Sequence, residues 1–214
     1  TWAGDNHHSR YSARLVRNHC YSDLERERRR HRPLLWDSTT FDKLPCADMN
    51  VVEQDKSARL RLLETVADYG FCKIVNAPIE RDQTNRMIAL VGHQRQTHFG
   101  NLVMKKRKKV NDVGDINAAL APHTDESYRL STVGITVFQV LCPSPLGGES
   151  TLVDGFEAAR RLREESPEHF DLLTTVPIAT HRLDQSPING GPPRWYEARL
   201  PIIRLDSEQQ VCGV

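Results

Sequence analysis

The chain has 214 residues, of which 38% are apolar and 27% charged, with a formal net charge of +1. That length can bury a real core in one large domain, or in a small module followed by a medium one. The near-neutral balance gives no global electrostatic reason to bind nucleic acid, and no apolar run approaches the ~18 residues that a membrane helix needs. Five cysteines, scattered singly at 20, 46, 72, 142 and 212, make no disulfide framework and point to a reducing compartment, the cytoplasm. No cationic-then-apolar leader opens the sequence, and both ends read as cut.

Residues 1–45 differ from the rest. His7, His8, His19 and Cys20 lie close together, and Glu25-Arg26-Glu27-Arg28-Arg29-Arg30-His31-Arg32 follows. Interleaved glutamates offset the arginines, so this run reads as a solvated helix face ended by Pro33 rather than a nucleic-acid patch. From 46 onward the pattern is mixed α and β. Leu60, Leu63, Val66 and Ala67 recur at helical spacing over 56–69, with Gly70 placed as the C-terminal cap. A short strand is predicted at 71–75 and a second helix at 84–93. A basic patch at 105–109 leads into a loop rich in Asn, Asp and Gly. Residues 133–142 are β-branched and almost continuously apolar, the pattern of a strand buried on both faces. Gly147-Gly148 forms a turn before a strand at 150–153. Asp154-Gly155 opens a helix to about 165, and Ser166-Pro167 opens another. Residues 201–206 and 211 onward read as a hairpin.

The chemistry centres on Ala121-Pro122-His123-Thr124-Asp125-Glu126. In an extended segment residues i and i+2 share a face, so the His123 imidazole and Asp125 carboxylate converge. Two histidines and one carboxylate, with open positions opposite, form the binding set of non-haem Fe(II) oxygenases. His-x-Asp alone is a weak signal. Here a loop ending at Pro122 precedes it and an apolar strand follows, as where a jelly roll presents ligands at its mouth.

Several stretches together carry a resemblance. They are His123-Thr124-Asp125, Val133-Gly134-Ile135, Gly147-Gly148-Glu149-Ser150-Thr151, Leu152-Val153-Asp154-Gly155-Phe156 and Phe170-Asp171-Leu172-Leu173. They resemble the γ-butyrobetaine hydroxylase branch of the 2-oxoglutarate/Fe(II) dioxygenases, in the taurine dioxygenase superfamily. Upstream, Trp2, Asp5, His7, Ser9, Tyr11, Arg17 and Cys20 are similar to the latter half of that branch's small N-terminal domain, and Tyr69-Gly70-Phe71 to the start of its catalytic domain.

The resemblance implies an α+β chain: the latter part of a small zinc-type domain (1–45), then the N-terminal portion of an incomplete double-stranded β-helix (jelly-roll) barrel with flanking helices (46–214). It implies Fe(II) bound by His123 and Asp125, 2-oxoglutarate and O2 as co-substrates, and hydroxylation of an unactivated C–H bond in a small trimethylammonium compound. It further implies a structural zinc held in part by His7, and a homodimer. Ser150 falls near the expected co-substrate position, or caps a turn. Phe99, Glu126 and Tyr128 are the candidate substrate contacts, although the family has a tyrosine where Glu126 stands and an aromatic where Val103 stands. Trp195 and Tyr196 read as packing or a loop anchor, and Arg129 and Arg194 as solvated or facing an anionic group. The family's distal iron histidine and its 2-oxoglutarate arginine find no match, which puts them beyond residue 214; His169 and His181 are poor replacements. The alternative is a catalytically incomplete or non-catalytic metal-binding or interaction protein of the same fold.

Overall fold

The computed structural model describes residue 4 and residues 7–80, 83–95, 119–131, 133–185 and 192–214. Trp2, Asp5, Phe99, Val103 and the 105–109 basic patch lie outside the described residues. The chain divides into two compact units, Thr1–Leu34 and Leu35–Val214.

The first unit holds two short helices, α1 (Ala13–Asn18) and α2 (Asp23–Arg29), neither with a buried residue. Ser12 and Ser22 cap them through their hydroxyls. Arg29 donates to the carbonyls of Arg17 (3.2 Å) and Cys20 (2.5 Å), stapling one helix to the other. The arginine run is paired as its spacing suggests, Arg28 with Glu25 at 2.9 Å and Arg30 with Glu27 at 3.4 Å. Among the described residues of this unit none is buried, and polar contacts link its helices.

The second unit contains two apolar clusters. Its first half runs β1 (Cys46–Asp48), α3 (Met49–Gln54), α4 (Lys56–Tyr69), β2 (Lys73–Val75) and α5 (Thr84–Val91). The strands β1 and β2 pair in parallel, and α3 with α4 supplies the crossover such a pair requires. Asp48 and Asp55 cap the two helices by accepting from Asn50 and Ser57 backbone N–H groups. Gly70 ends α4 at φ +78°, a left-handed conformation that glycine adopts without strain. Met49, Val52, Ala58, Leu62, Met87 and Leu90 form the core, with Ile74, Val66 and Val137 packed against it. Glu53 and Arg86 join α3 to α5 through two bonds of 3.0 and 2.7 Å.

The second half runs α6 (Gly155–Glu165), α7 (Pro167–Thr175), the antiparallel hairpin β3 (Ile178–Asp184) and β4 (Arg194–Leu200), and the antiparallel pair β5 (Arg204–Leu205) and β6 (Val211–Gly213). Ala159, Phe170 and Ile203 are buried together, with Leu162, Leu173, Leu205 and Val211 around them. At Gly155 a β-carbon would stand 3.3 Å from Val214, so the first turn of α6 approaches the end of the chain closely. Ser166 does not cap α7 by its side chain; its hydroxyl lies 2.6 Å from His169 Nδ1 instead.

Asp154 ties these halves. One carboxylate oxygen accepts from the backbone N–H groups of Phe156 and Glu157, and the other accepts from Trp36 N–H at 3.0 Å. Trp36 in turn donates its indole N–H to the Tyr69 carbonyl at 2.8 Å and packs on Phe41 and Phe71.

Two expected strands are corrected. Residues 133–142 and 150–153 form no ladder among the described residues, and Ile135, Phe138, Val140, Leu152 and Val153 are exposed. A strand needs a partner for its N–H and C=O groups, and none of the described strands lies beside either stretch. What holds 133–142 is side-chain anchoring: Val137 in the first core, and Gln139 between the Pro78 carbonyl and the Thr84 hydroxyl. The architecture is thus α+β with three separate two-stranded sheets and no closed barrel among the described residues. No described helix is long and apolar enough to cross a membrane.

Replacing Asp154 by Ala removes an N-cap and the bond to Trp36; a loss of about 2 kcal/mol in urea unfolding is expected, with Asp154→Asn retaining most of the cap. Charge adds a pH dependence. Asp37 ionises at about 2, held down first by the Thr39 hydroxyl and backbone N–H and then by Arg161, and Glu157 at about 2, held down by Arg160 and then Arg161. Both folded values lie below the unfolded ones, so this contribution is full above about pH 5 and disappears as pH falls toward 2. Arg161→Ala should flatten the acid limb of the stability–pH curve, and raised salt should do the same.

Candidate functional site

His123 and Asp125 sit in the irregular segment 119–131, upstream of the extended 133–142 stretch. His123 Nδ1 lies 2.7 Å from the Ala121 carbonyl, a contact that requires Nδ1 to carry the proton. Nε2 is turned outward and stands 3.4 Å from Asp125 Oδ1. Two ligand atoms at right angles on one metal, each at ~2.1 Å, are ~3 Å apart, so the pair is close to the bite of a single ion. Their side chains are 48% and 64% exposed, open enough to admit a metal and its other ligands. A carbonyl behind a ligating imidazole is the usual second support of such a site. The donor set fits a metal at two positions. Among the described residues no group of three or more His, Cys, Asp or Glu side chains is brought together.

The β3–β4 hairpin holds the turn that follows. Its register sets Thr180 opposite Ala198 and Arg182 opposite Tyr196, and these four residues share the less exposed face. Thr180 donates its hydroxyl to the Ser127 carbonyl at 2.7 Å. The Tyr196 ring lies 5.8 Å from that of Tyr128, and the Arg129 guanidinium sits 4.8 Å over Tyr196. Arg129 also reaches Glu126, Nε to Oε1 at 3.1 Å. Arg182 approaches the Tyr128 ring at 6.0 Å.

The other sequence candidates fall as follows. Glu126 turns its carboxylate toward Arg129 rather than to solvent, because the half-buried guanidinium offers a close counter-charge. Arg129 is accordingly not a solvated arginine. Tyr128 is partly buried between Tyr196, Arg129 and Arg182. Ser150 is exposed in the irregular 150–153 stretch, and Phe99 lies outside the described residues. His7 is exposed in the first unit, where no described metal-ligating cluster surrounds it. His181 lies within β3 rather than past it, stacked on Trp195 at 4.9 Å on the face opposite Thr180 and Tyr196. His169 is on α7, occupied by Ser166. Neither histidine joins His123 in a ligand group among the described residues.

Tyr196, Thr180 and Arg182 carry the site's support and were not singled out for it by spacing. In β3 the less exposed positions hold Thr180, Arg182 and Asp184 while Ala179, His181 and Leu183 are exposed, so no apolar alternation marked this face.

Residues 44–212 match the family model described as taurine catabolism dioxygenase TauD, TfdA family. The chain belongs to this family. Among its relatives, trimethyllysine dioxygenase of Meyerozyma guilliermondii is 27% identical over 100% of this chain and 56% of its own length. The rat protein named mitochondrial trimethyllysine dioxygenase (Rattus norvegicus) is 30% identical over 83% of this chain and 42% of its own. Gamma-butyrobetaine dioxygenase of a Pseudomonas species is 30% identical over 97% of this chain and 53% of its own. The chain thus spans about half the length of the curated relatives it matches.

Tyr128 gives a direct check on the loop's packing. Burial first, and then the Glu126 charge, push its phenol above the ordinary value, against the opposing pull of Arg182 and Arg129. Ultraviolet titration should therefore show a late-ionising tyrosine, above pH ~10, and Tyr128→Phe should remove that phase. Tyr196→Ala should bring it back toward the ordinary range by opening the ring to water.

Proposed function

We propose that this chain forms part of an Fe(II)- and 2-oxoglutarate-dependent hydroxylase of a small trimethylammonium compound, with His123 and Asp125 as two of the iron's protein ligands. The observation that carries the reading is the His123–Asp125 pair: Nε2 is freed by the Ala121 carbonyl behind the ring and faces a carboxylate oxygen at 3.4 Å. The family supports the reaction class, and relatives named trimethyllysine and gamma-butyrobetaine dioxygenase support the substrate class. The jelly-roll barrel of the family is part of the same proposal, with the β3–β4 hairpin and the 133–142 and 150–153 stretches as its components.

An iron held by His123 and Asp125 would supply, with 2-oxoglutarate, the activation of dioxygen that C–H hydroxylation needs. The protein's own share is positional. Ala121 holds the His123 ring in the tautomer that presents Nε2, and Asp125 contributes an anionic oxygen beside it. A quaternary ammonium group is attracted to aromatic faces, and Tyr128 and Phe99 are the aromatic side chains we assign to that contact. Ser150 is assigned to the 2-oxoglutarate side. Holding the substrate C–H beside the metal and excluding water supply most of the protein's contribution to rate. The zinc role of His7 forms no part of this reading.

Succinate release by the full-length protein should require Fe(II), 2-oxoglutarate and a trimethylammonium compound together, with trimethyllysine and γ-butyrobetaine as the first two tried. His123→Ala and Asp125→Ala should each reduce it to background. Succinate formed without stimulation by any member of a betaine panel would overturn the substrate class alone. Absence of succinate under every condition, from protein that still binds metal, would favour the non-catalytic reading, which the lack of a third ligand among the described residues makes concrete.

A further inference from the structure

We infer that Arg129 is a positioning residue for the metal pair: ion-paired to Glu126 and stacked on Tyr196, it clamps the turn that carries Asp125 onto the β3–β4 hairpin. This rests on the reading of His123 and Asp125 as iron ligands and assigns a role to residues outside that pair.

The argument starts from the backbone. Glu126, directly after Asp125, has φ +58°, in the left-handed region that a side-chain-bearing residue occupies only at a cost of ~1 kcal/mol or more. A conformation of that kind persists only where its surroundings hold it. Arg129 supplies two of the holds, donating its backbone N–H to the Glu126 carbonyl at 3.0 Å and setting its Nε 3.1 Å from Glu126 Oε1 as an ion pair. The two side chains are 19% and 10% exposed, so this pair is shielded from solvent in a way that surface ion pairs are not. The guanidinium then lies over Tyr196 at 4.8 Å, within cation–π range. Thr180 pins the intervening Ser127 carbonyl, and Tyr128 packs on the same Tyr196 ring. Thr180 and Tyr196 lie on one face of one hairpin.

Asp125 needs this support because it has little of its own. Among the described residues its carboxylate meets only His123. If the turn relaxed at Glu126, the adjoining peptide would rotate and carry Asp125 away from Nε2. The carboxylate of Glu126 is thereby committed to Arg129 and not to a cationic substrate. Lysine would not substitute: an ammonium lacks the flat face that stacks on Tyr196 while pairing with Glu126.

The test is metal binding rather than turnover. Co(II), a spectroscopic stand-in for Fe(II), is titrated into metal-free full-length protein, following its visible absorption alongside the thermal midpoint without metal. His123→Ala should abolish binding. Arg129→Gln should weaken the Co(II) dissociation constant on the order of 10-fold, as loss of an outer-sphere support does at metal sites, and should change the absorption envelope. Arg129→Lys should recover little. Should Arg129→Gln fold poorly, Glu126→Gly removes the same ion pair while tolerating φ +58° without strain, and should weaken Co(II) comparably at an unchanged midpoint. If wild type binds no Co(II), the metal reading falls and this role with it. If wild type and His123→Ala behave as stated but Arg129→Gln and Glu126→Gly bind Co(II) like wild type, the positioning role alone is overturned.

Discussion

The carboxylate of Asp154 is the joint on which the second unit depends. One oxygen closes the open N-terminus of α6, and the other takes the backbone N–H of Trp36, 118 positions earlier in the chain. Through Trp36 and its bond to the Tyr69 carbonyl, the start of α6 is fixed to the end of α4. An uncapped helix terminus and an unbonded Trp36 amide would both be partly buried polar groups, which is costly. A single acidic side chain satisfies both. The Leu-Val-Asp-Gly-Phe stretch therefore has a structural reason for its Asp and its Gly: the first caps and bridges, and the second leaves room for Val214.

The proposed metal pair is built differently. It rests on no apolar cluster, since His123 and Asp125 are both about half exposed. Its order comes from local hydrogen bonds, to the Ala121 carbonyl on one side and through the 126–129 turn to β3 and β4 on the other. If His123 and Asp125 hold the metal as proposed, a partly buried, charged and aromatic clamp beside an exposed pair would keep coordination positions open without leaving the ligands free to wander. That division of labour suits a metal which must also accept a co-substrate and dioxygen.

Much of the helical framework was legible in the sequence, because helices announce themselves locally. The 3.6-residue spacing over 56–69 and Gly70 at its end correspond to α4, and Asp154 and Pro167 mark the starts of α6 and α7. The convergence of His123 and Asp125 was legible for the same reason, since a two-residue spacing in extended chain places both on one side. The strands were not. An apolar, β-branched run at 133–142 has the composition of a central strand, yet it is extended and largely exposed, held by Val137 and Gln139. Conversely, β4 carries Arg, Glu and Arg among its seven residues, and only pairing with β3 explains it.

Glu126 and Arg129 show where the boundary lies. From spacing alone, Glu126 stands next to a ligand and looks available to a cationic substrate, and Arg129 looks solvated. Their ion pair spans only three positions, but the ring of Tyr196 beneath the guanidinium comes from a residue 67 positions later in the sequence. The sequence by itself determined the helices α4, α5, α6 and α7, the caps at Gly70 and Asp154, and that the side chains of His123 and Asp125 fall together, because those depend on neighbours within a few positions. Tertiary structure alone decided which strands pair and which arginine is partly buried on an aromatic ring. Those outcomes depend on contacts between distant segments, and whether a charge or a strand edge is satisfied depends on what the fold places beside it.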